Sequence, residues 1–374
     1  MMRENLSKAE KRFLYFIYVF RCVDRKLLRL YGGDYDNSGK KVARLIERGL
    51  VEERIFKRRY YHKEKVLMLT KEGLNLAQTL FPEFSKEIDK ERKKYTGVNN
   101  NYDALKVSSA FLMMTDIFPN IFFQYINSRF GSHRYDSLET FIEHNKNPNG
   151  DYVLFFKELS RLFPDEIKKM GGKRAVGILR NSNGAFVIYN HNRKKMKARG
   201  QGEEKAFDFT SVITGDTFPK SIHFAKSYKC AIDTIKSVGS RNQDISDEIL
   251  LSGLYRSTYY VPMHRHGKEQ LVLYFIKNCR EKIQEKILLP NEIERGRNAI
   301  YDGESDSGEV IYLGFECDIW EIMKLLNLLR LTMRNKTVKI YCFDHQVDFY
   351  RKAFSEFNIK IKKLPVSQVI NEIK

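Results

Sequence analysis

Basic residues spaced three and four apart are the first groups in this chain with a definite chemistry. Between Asn37 and Gly49, Lys40, Lys41, Arg44 and Arg48 fall on one side of a helical repeat, and Val42, Leu45 and Ile46 fall on the other. Such a helix buries its apolar side and offers cations to a polyanion on the opposite one. Ser38 is expected to cap its start, and Gly49 to end it in a left-handed conformation. The pattern then alternates. Leu50 to Phe56 reads as an outgoing strand and Lys65 to Leu69 as a returning one, around the tip Lys57-Arg58-Arg59-Tyr60-Tyr61-His62-Lys63. Arg54, Lys57, Arg58, Arg59, Tyr61, Lys63 and Lys65 line this hairpin. A cationic helix followed by a basic ribbon suits double-stranded DNA, the helix reading bases in the major groove and the ribbon following phosphates. That is the layout of a winged helix-turn-helix.

Other candidates have simpler alternatives. Glu316 and Asp318 follow one apolar strand pattern, and Asp344 and Asp348 follow the next. Acids beyond the carboxyl ends of parallel strands can hold a divalent metal, or they can cap the next helices. His264-Arg265-His266 is like the paired metal-binding histidines of rolling-circle endonucleases and relaxases, but arginine stands between them and Gly267 suggests a turn. Glu203-Glu204-Lys205 has a nuclease-like acid-x-Lys triplet without a flanking apolar strand. No GxGxxG or GxxxxGK[ST] occurs, so nucleotide binding lacks a motif. Arg193, Lys194, Lys195, Lys197 and Arg199 form a second basic loop, a further phosphate contact or a solvated one. No cofactor, and no metal beyond those four acids, is implied.

Composition narrows the partners. The 374 residues carry a formal net charge of +19, which favours nucleic acid or an anionic surface. Residues 1–80 hold 19 Lys and Arg against 10 Asp and Glu, a net of +9, nearly half of that excess. The five cysteines are scattered, the nearest two (Cys317 and Cys342) lying 25 positions apart, so no CxxC zinc site or disulfide framework is expected. Without a long apolar run or a signal-peptide pattern, the expected setting is cytoplasmic, with no membrane.

The elements that must position these groups follow in order. A first helix is capped by Ser7 and carries Phe13, Leu14, Ile17 and Tyr18; a second starts at Asp24; Thr70 caps a closing helix. Residues 1–84 read as the winged-helix domain, 85–101 as a polar linker, 102–302 as a mixed α/β domain with two hairpins, and 303–374 as a βαβαβα unit, either separate or one domain with 102–302. The first hairpin turns at Asn183-Gly184, between strands apolar on both faces; the second is expected over 257–276 around His264 to Lys268. Strands alternating with helices from Val310 onward predict a small parallel sheet. The fold class is therefore α+β or α/β.

The helix-and-wing segment joins three later blocks: Arg174-Ala175-Val176-Gly177-Ile178-Leu179 with Val187-Ile188-Tyr189-Asn190 and Met196-Lys197, then His266-Gly267, then Val338 to Gln346. Together these short blocks, spread over most of the chain, resemble winged-helix proteins of conjugative and mobilisable elements of Gram-positive bacteria. That group is similar in layout to the replication-relaxation proteins. The resemblance implies an accessory, DNA-handling role in replication, transfer or regulation of a plasmid or integrative element, with other proteins bound through the α/β region. The acid-x-Lys signature of an active replication-relaxation enzyme is not evident here. Sequence-specific DNA binding without catalysis is thus the primary expectation, and a metal-dependent DNA nickase using the C-terminal acids is the alternative.

Overall fold

Satisfied caps start the chain's first helices. Ser7 accepts from the Glu10 backbone and Glu10 reaches back to Ser7, closing a capping box on α1 (Lys8–Phe20). Asp24 ends β1 (Val23–Asp24) and accepts from the amides of Lys26 and Leu27 to begin α2 (Arg25–Leu28), which runs into a 3-10 turn, Arg29–Gly32. After α3 (Tyr35–Glu47), Gly49 adopts φ +67° as expected and hands the chain to β2 (Val51–Arg58) and β3 (Tyr61–Leu69). These strands pair antiparallel out to Arg58 and Tyr61, and β1 adds to β3, giving the order β1-β3-β2. The computed structural model describes residues 6–32, 35–58, 61–94, 98–130, 135–165, 175–192, 201–237, 254–288, 292–294 and 300–374.

One cap falls elsewhere than expected. Ser38 lies inside α3, not at its start, and its buried hydroxyl has no hydrogen-bond partner. Thr70 does cap α4 (Lys71–Leu80), accepting from Gly73 at 3.0 Å and donating to the Gly49 carbonyl at 2.6 Å. A Cβ on Gly73 would lie 1.9 Å from the Leu50 carbonyl oxygen, so α4 can approach the start of β2 only with glycine there.

The stretch expected as a linker is helical. Residues 85–94 form α5 (Ser85–Lys94) with Ile88 buried, and α6 (Val98–Met114) begins soon after. Ala104 and Leu105 of α6 pack with Cys22 and Val66, so 85–101 separates nothing. The chain divides into one unit of residues 1–145 with 157–164 and another of 146–156 with 165–374. Apolar burial thus places residues 102–145, including α7 (Ile121–Phe130) and α8 (Leu138–Asn145), with the N-terminal elements, together with most of α9 (Phe156–Leu162).

The second unit is mixed α/β and contains parallel strands. Its first sheet runs β4-β5-β6-β7-β8: β4 (Tyr152–Phe155), β5 (Ala175–Asn181) and β6 (Gly184–Asn192) are antiparallel, and β6, β7 (Lys220–Ala225) and β8 (Thr258–Pro262) are parallel. The β5–β6 hairpin forms, but its two turn residues are Ser182 and Asn183, with Gly184 at φ +119° already paired to Asn181. No hairpin forms over 257–276. After β8 the chain enters α12 (Arg265–Leu271), preceded in the sequence by α10 (Gln201–Thr214) and α11 (Lys229–Ser237). His264 caps α12 by accepting from Gly267, and a Cβ on Gly267 would meet the Pro262 carbonyl at 1.9 Å; this local cap outweighs strand propensity.

The second sheet runs β13-β12-β11-β10-β9. Here β11 (Val310–Leu313), β12 (Val338–Phe343) and β13 (Ile359–Leu364) are parallel, as the alternating pattern predicts, while β10 (Gly303–Ser305) and β9 (Glu292–Glu294) extend it antiparallel. Helices α14 (Ile319–Thr332), α15 (Val347–Ala353) and α16 (Val366–Ile373) alternate with these strands, and α13 (Cys279–Ile287) precedes them. Among the described residues no helix is long and apolar enough to cross a membrane.

Leu45 is fully buried beneath α3. Leu45→Ala should cost about 2–5 kcal/mol, and Leu45→Asp should unfold the first unit. Thermal melts followed by circular dichroism check both; an unchanged transition for Leu45→Asp would overturn the placement of Leu45 in the core.

Candidate functional site

Helical periodicity divides α3 sharply. Val42 and Leu45 are buried, Lys40, Arg44 and Arg48 are exposed, and Lys41 and Ile46 are half-buried. Arg44 lies 3.8 Å from Glu10 of α1. Burial pushes the Glu10 carboxyl up, yet hydrogen bonds from Ser7 and the charges of Arg44 and Arg48 outweigh this and hold it below its ordinary range. The carboxylate that closes the cap of α1 thus also sets the charge next to the cationic face of α3.

Two of the hairpin cations are paired with acids. Arg54 sits 2.6 Å from Glu52 and Lys65 lies 3.3 Å from Glu53, so acids on the same ribbon offset both. Arg25, absent from the sequence-based candidates, takes the other oxygen of Glu53 at 2.7 Å. Its hydrogen bond is the main cause holding the Glu53 carboxyl below its usual range. The backbone of Lys57, Arg58, Tyr61 and Lys63 belongs to the paired strands; Arg59 lies outside the described residues, as do Arg193, Lys194, Lys195, Lys197 and Arg199. A cleft of about 360 Å³, lined by Arg25, Arg29, Gly39, Lys40, Val42 and Ala43, opens where the 3-10 turn meets α3.

The four acids considered as metal ligands are not brought together. Asp318 is buried, caps α14 through the Trp320 amide at 3.0 Å, and accepts from the Thr258 amide at 3.0 Å. Asp344 lies 3.4 Å from Lys363, and Asp348 is 3.7 Å from Arg351. Burial raises the Glu316 carboxyl to about 7, against the lowering charges of Arg280 and Lys220. The Glu203-Glu204-Lys205 triplet sits on the first turn of α10. Among the described residues no three His, Cys, Asp or Glu side chains are grouped to hold a metal ion.

Histidines do converge beyond the strand ends of the second unit. His345, after β12, has ring centroids 5.4 Å from His264 and 5.6 Å from His266. Burial, then neighbouring imidazoles, holds His264 down at about 4 and His345 at about 3, so both are neutral near pH 7. His191 and His223, on adjacent parallel strands, share a 2.7 Å hydrogen bond. Linear spacing gave no signal for either meeting, since 79 positions separate His266 from His345.

With this geometry in place, comparison with protein-family models, curated proteins and solved structures finds no match to the chain. The reading of the site therefore rests on its own chemistry. Helix α3 exposes Lys40 and Arg44, while in the second unit Asp318 caps a helix and Asp344 and Asp348 each face a cation.

The burial of Glu316 can be tested by pH. Its folded pKa of about 7 exceeds the ordinary 4.5, so its relative stabilisation is complete below 4.5 and is lost as pH rises through 7. Glu316→Gln should therefore melt above wild type at pH 8, with the gap closing toward pH 4.5. A gap that stays constant across a melting series over that range would show that Glu316 does not titrate in this window.

Proposed function

We propose that residues 6–80 form a winged-helix domain that binds double-stranded DNA, α3 lying in the major groove and the β2–β3 ribbon along the backbone. One observation carries this reading. The order α1-β1-α2-α3-β2-β3, with β1 paired to β3, turns the face of α3 that bears Lys40, Arg44 and Arg48 outward beside a basic ribbon. In this reading Arg44 and Lys41 read base edges, and Lys57, Arg58, Arg59 and Lys63 meet phosphates. The second unit then recruits other proteins, and the chain serves as an accessory factor in replication, transfer or regulation of a mobile element in the cytoplasm. The nickase alternative has less support, because Asp318 is engaged with two backbone amides and Asp344 and Asp348 each face a cation.

Footprinting on element DNA, followed by equilibrium titrations on the protected duplex and on random duplex, tests the reading. Arg44→Ala should cut the specific-to-random affinity ratio by roughly 1–3 kcal/mol, the worth of one bidentate base contact. An unchanged ratio would remove Arg44 from base reading. Changing Lys57, Arg58 and Arg59 together to Ala should weaken both duplexes by similar factors. It should also flatten log K against log salt by roughly 2–3 units, at about 0.9 per phosphate. A slope equal to wild type would leave the ribbon as a protein-interaction surface.

A further inference from the structure

Glu10 does more than the cap of α1 requires. It is buried, on a helix that packs against α3. Its Oε2 alone serves the cap, accepting from the Ser7 amide at 2.8 Å and from the Ser7 hydroxyl at 2.7 Å. Glutamine at this position closes the same capping box, so the cap needs an acceptor oxygen and no charge. Burying an ionised carboxylate is costly unless a cation faces it. Against the raising effect of burial, the Ser7 hydrogen bonds and the charges of Arg44 and Arg48 keep this carboxyl below its ordinary range, so it is ionised at neutral pH. Its other oxygen, Oε1, lies 3.8 Å from Nη1 of Arg44.

That distance makes it a charge–charge contact, longer than a hydrogen bond. The Arg44 side chain is 60% exposed and that of Glu10 only 4%, so a fixed, buried charge stands behind a cation that reaches solvent. A guanidinium has two bidentate edges, Nη1–Nη2 and Nη2–Nε, and Nη1 is the atom nearest Glu10. The Nη2–Nε edge is the one left to take the O6 and N7 of a guanine. A long exposed side chain without such a partner must be ordered at the moment it binds, and that ordering lowers affinity.

We propose that Glu10 is a positioning residue for Arg44: its buried carboxylate holds the guanidinium in the orientation that reads a base edge. The proposal rests on the duplex-binding reading above and deepens it. Sequence specificity is then set in part from α1, a helix that does not itself enter the groove. Glu10 touches no base; it supports the side chain that does.

The test uses the full chain, titrated on the footprinted duplex and on a random duplex of equal length. Glu10→Gln keeps the acceptor that closes the cap and removes the charge. It should cut the specific-to-random affinity ratio by roughly 3- to 10-fold, the cost of ordering one long side chain on binding. Affinity for random duplex should not fall, and log K against log salt should keep its slope, because no phosphate contact is lost. In an Arg44→Ala background the same change should leave the ratio within about twofold, since Glu10 then has nothing to act through. Ser7→Ala opens the cap and spares the charge, so it should lower the melting temperature and leave the ratio unchanged. Glu10→Asp keeps the charge and draws it back by one methylene. It should lower the ratio in part, and its cycle with Arg44→Ala decides the matter should Glu10→Gln fail to fold. Equal losses of ratio in Ser7→Ala and Glu10→Gln, or a Glu10→Gln loss that persists without Arg44, would assign the effect to the cap and overturn the proposal. If Arg44→Ala lowers the ratio and Glu10→Gln does not, the positioning role is wrong and base reading by Arg44 stands. If Arg44→Ala itself leaves the ratio unchanged, that base reading fails and the proposal with it.

Discussion

Asp318 is the joint on which the second unit depends. Its carboxylate accepts from the Trp320 amide at the start of α14 and from the Thr258 amide at the start of β8. The adjoining backbone continues the connection, with the Tyr260 amide donating to the Cys317 carbonyl at 3.0 Å and Tyr259 bridging to Asp318. One buried acid thus satisfies an amide at the start of helix α14 and an amide of strand β8 that would otherwise lose their hydrogen bonds to water. Burial raises its pKa to about 6, yet those amides stabilise the ionised form. Bound to two backbone amides, Asp318 does the capping work that the sequence offered as the alternative to metal binding.

The first unit is set by close backbone approach. Gly73 admits the Leu50 carbonyl, Thr70 ties the Gly49 carbonyl to the cap of α4, and Gly49 takes the positive φ that turns α3 into β2. Three neighbouring constraints fix where α3 ends and the ribbon begins. The angle between the cationic helix and the ribbon therefore follows from glycine geometry and hydrogen bonding, not from the charges themselves. The charges decorate a frame already determined.

Electrostatics then sorts those charges. Glu10, Glu52 and Glu53 neutralise parts of the basic surface, while the outer face of α3 keeps exposed cations. Both signs are therefore interspersed on this surface, and interspersed charges weaken the long-range field of a basic patch.

The sequence by itself determined the elements whose signals are local. Ser7, Asp24 and Thr70 cap the helices read from them, Val42 and Leu45 mark the buried side of α3, and alternation after Val310 gives the parallel strands, because caps and periodicity act within a few residues. Tertiary structure decided what depends on distant partners. Residues 102–145 join the N-terminal elements because Ala104 and Leu105 find Cys22 and Val66. His264 caps a helix instead of entering a hairpin, and it meets His345 only because β8 and β12 end near one another. The Arg29 guanidinium lies against α3 where Gly39 has no side chain. Burial and approach between residues tens of positions apart carry no periodic trace in the chain, and so only the fold could reveal them.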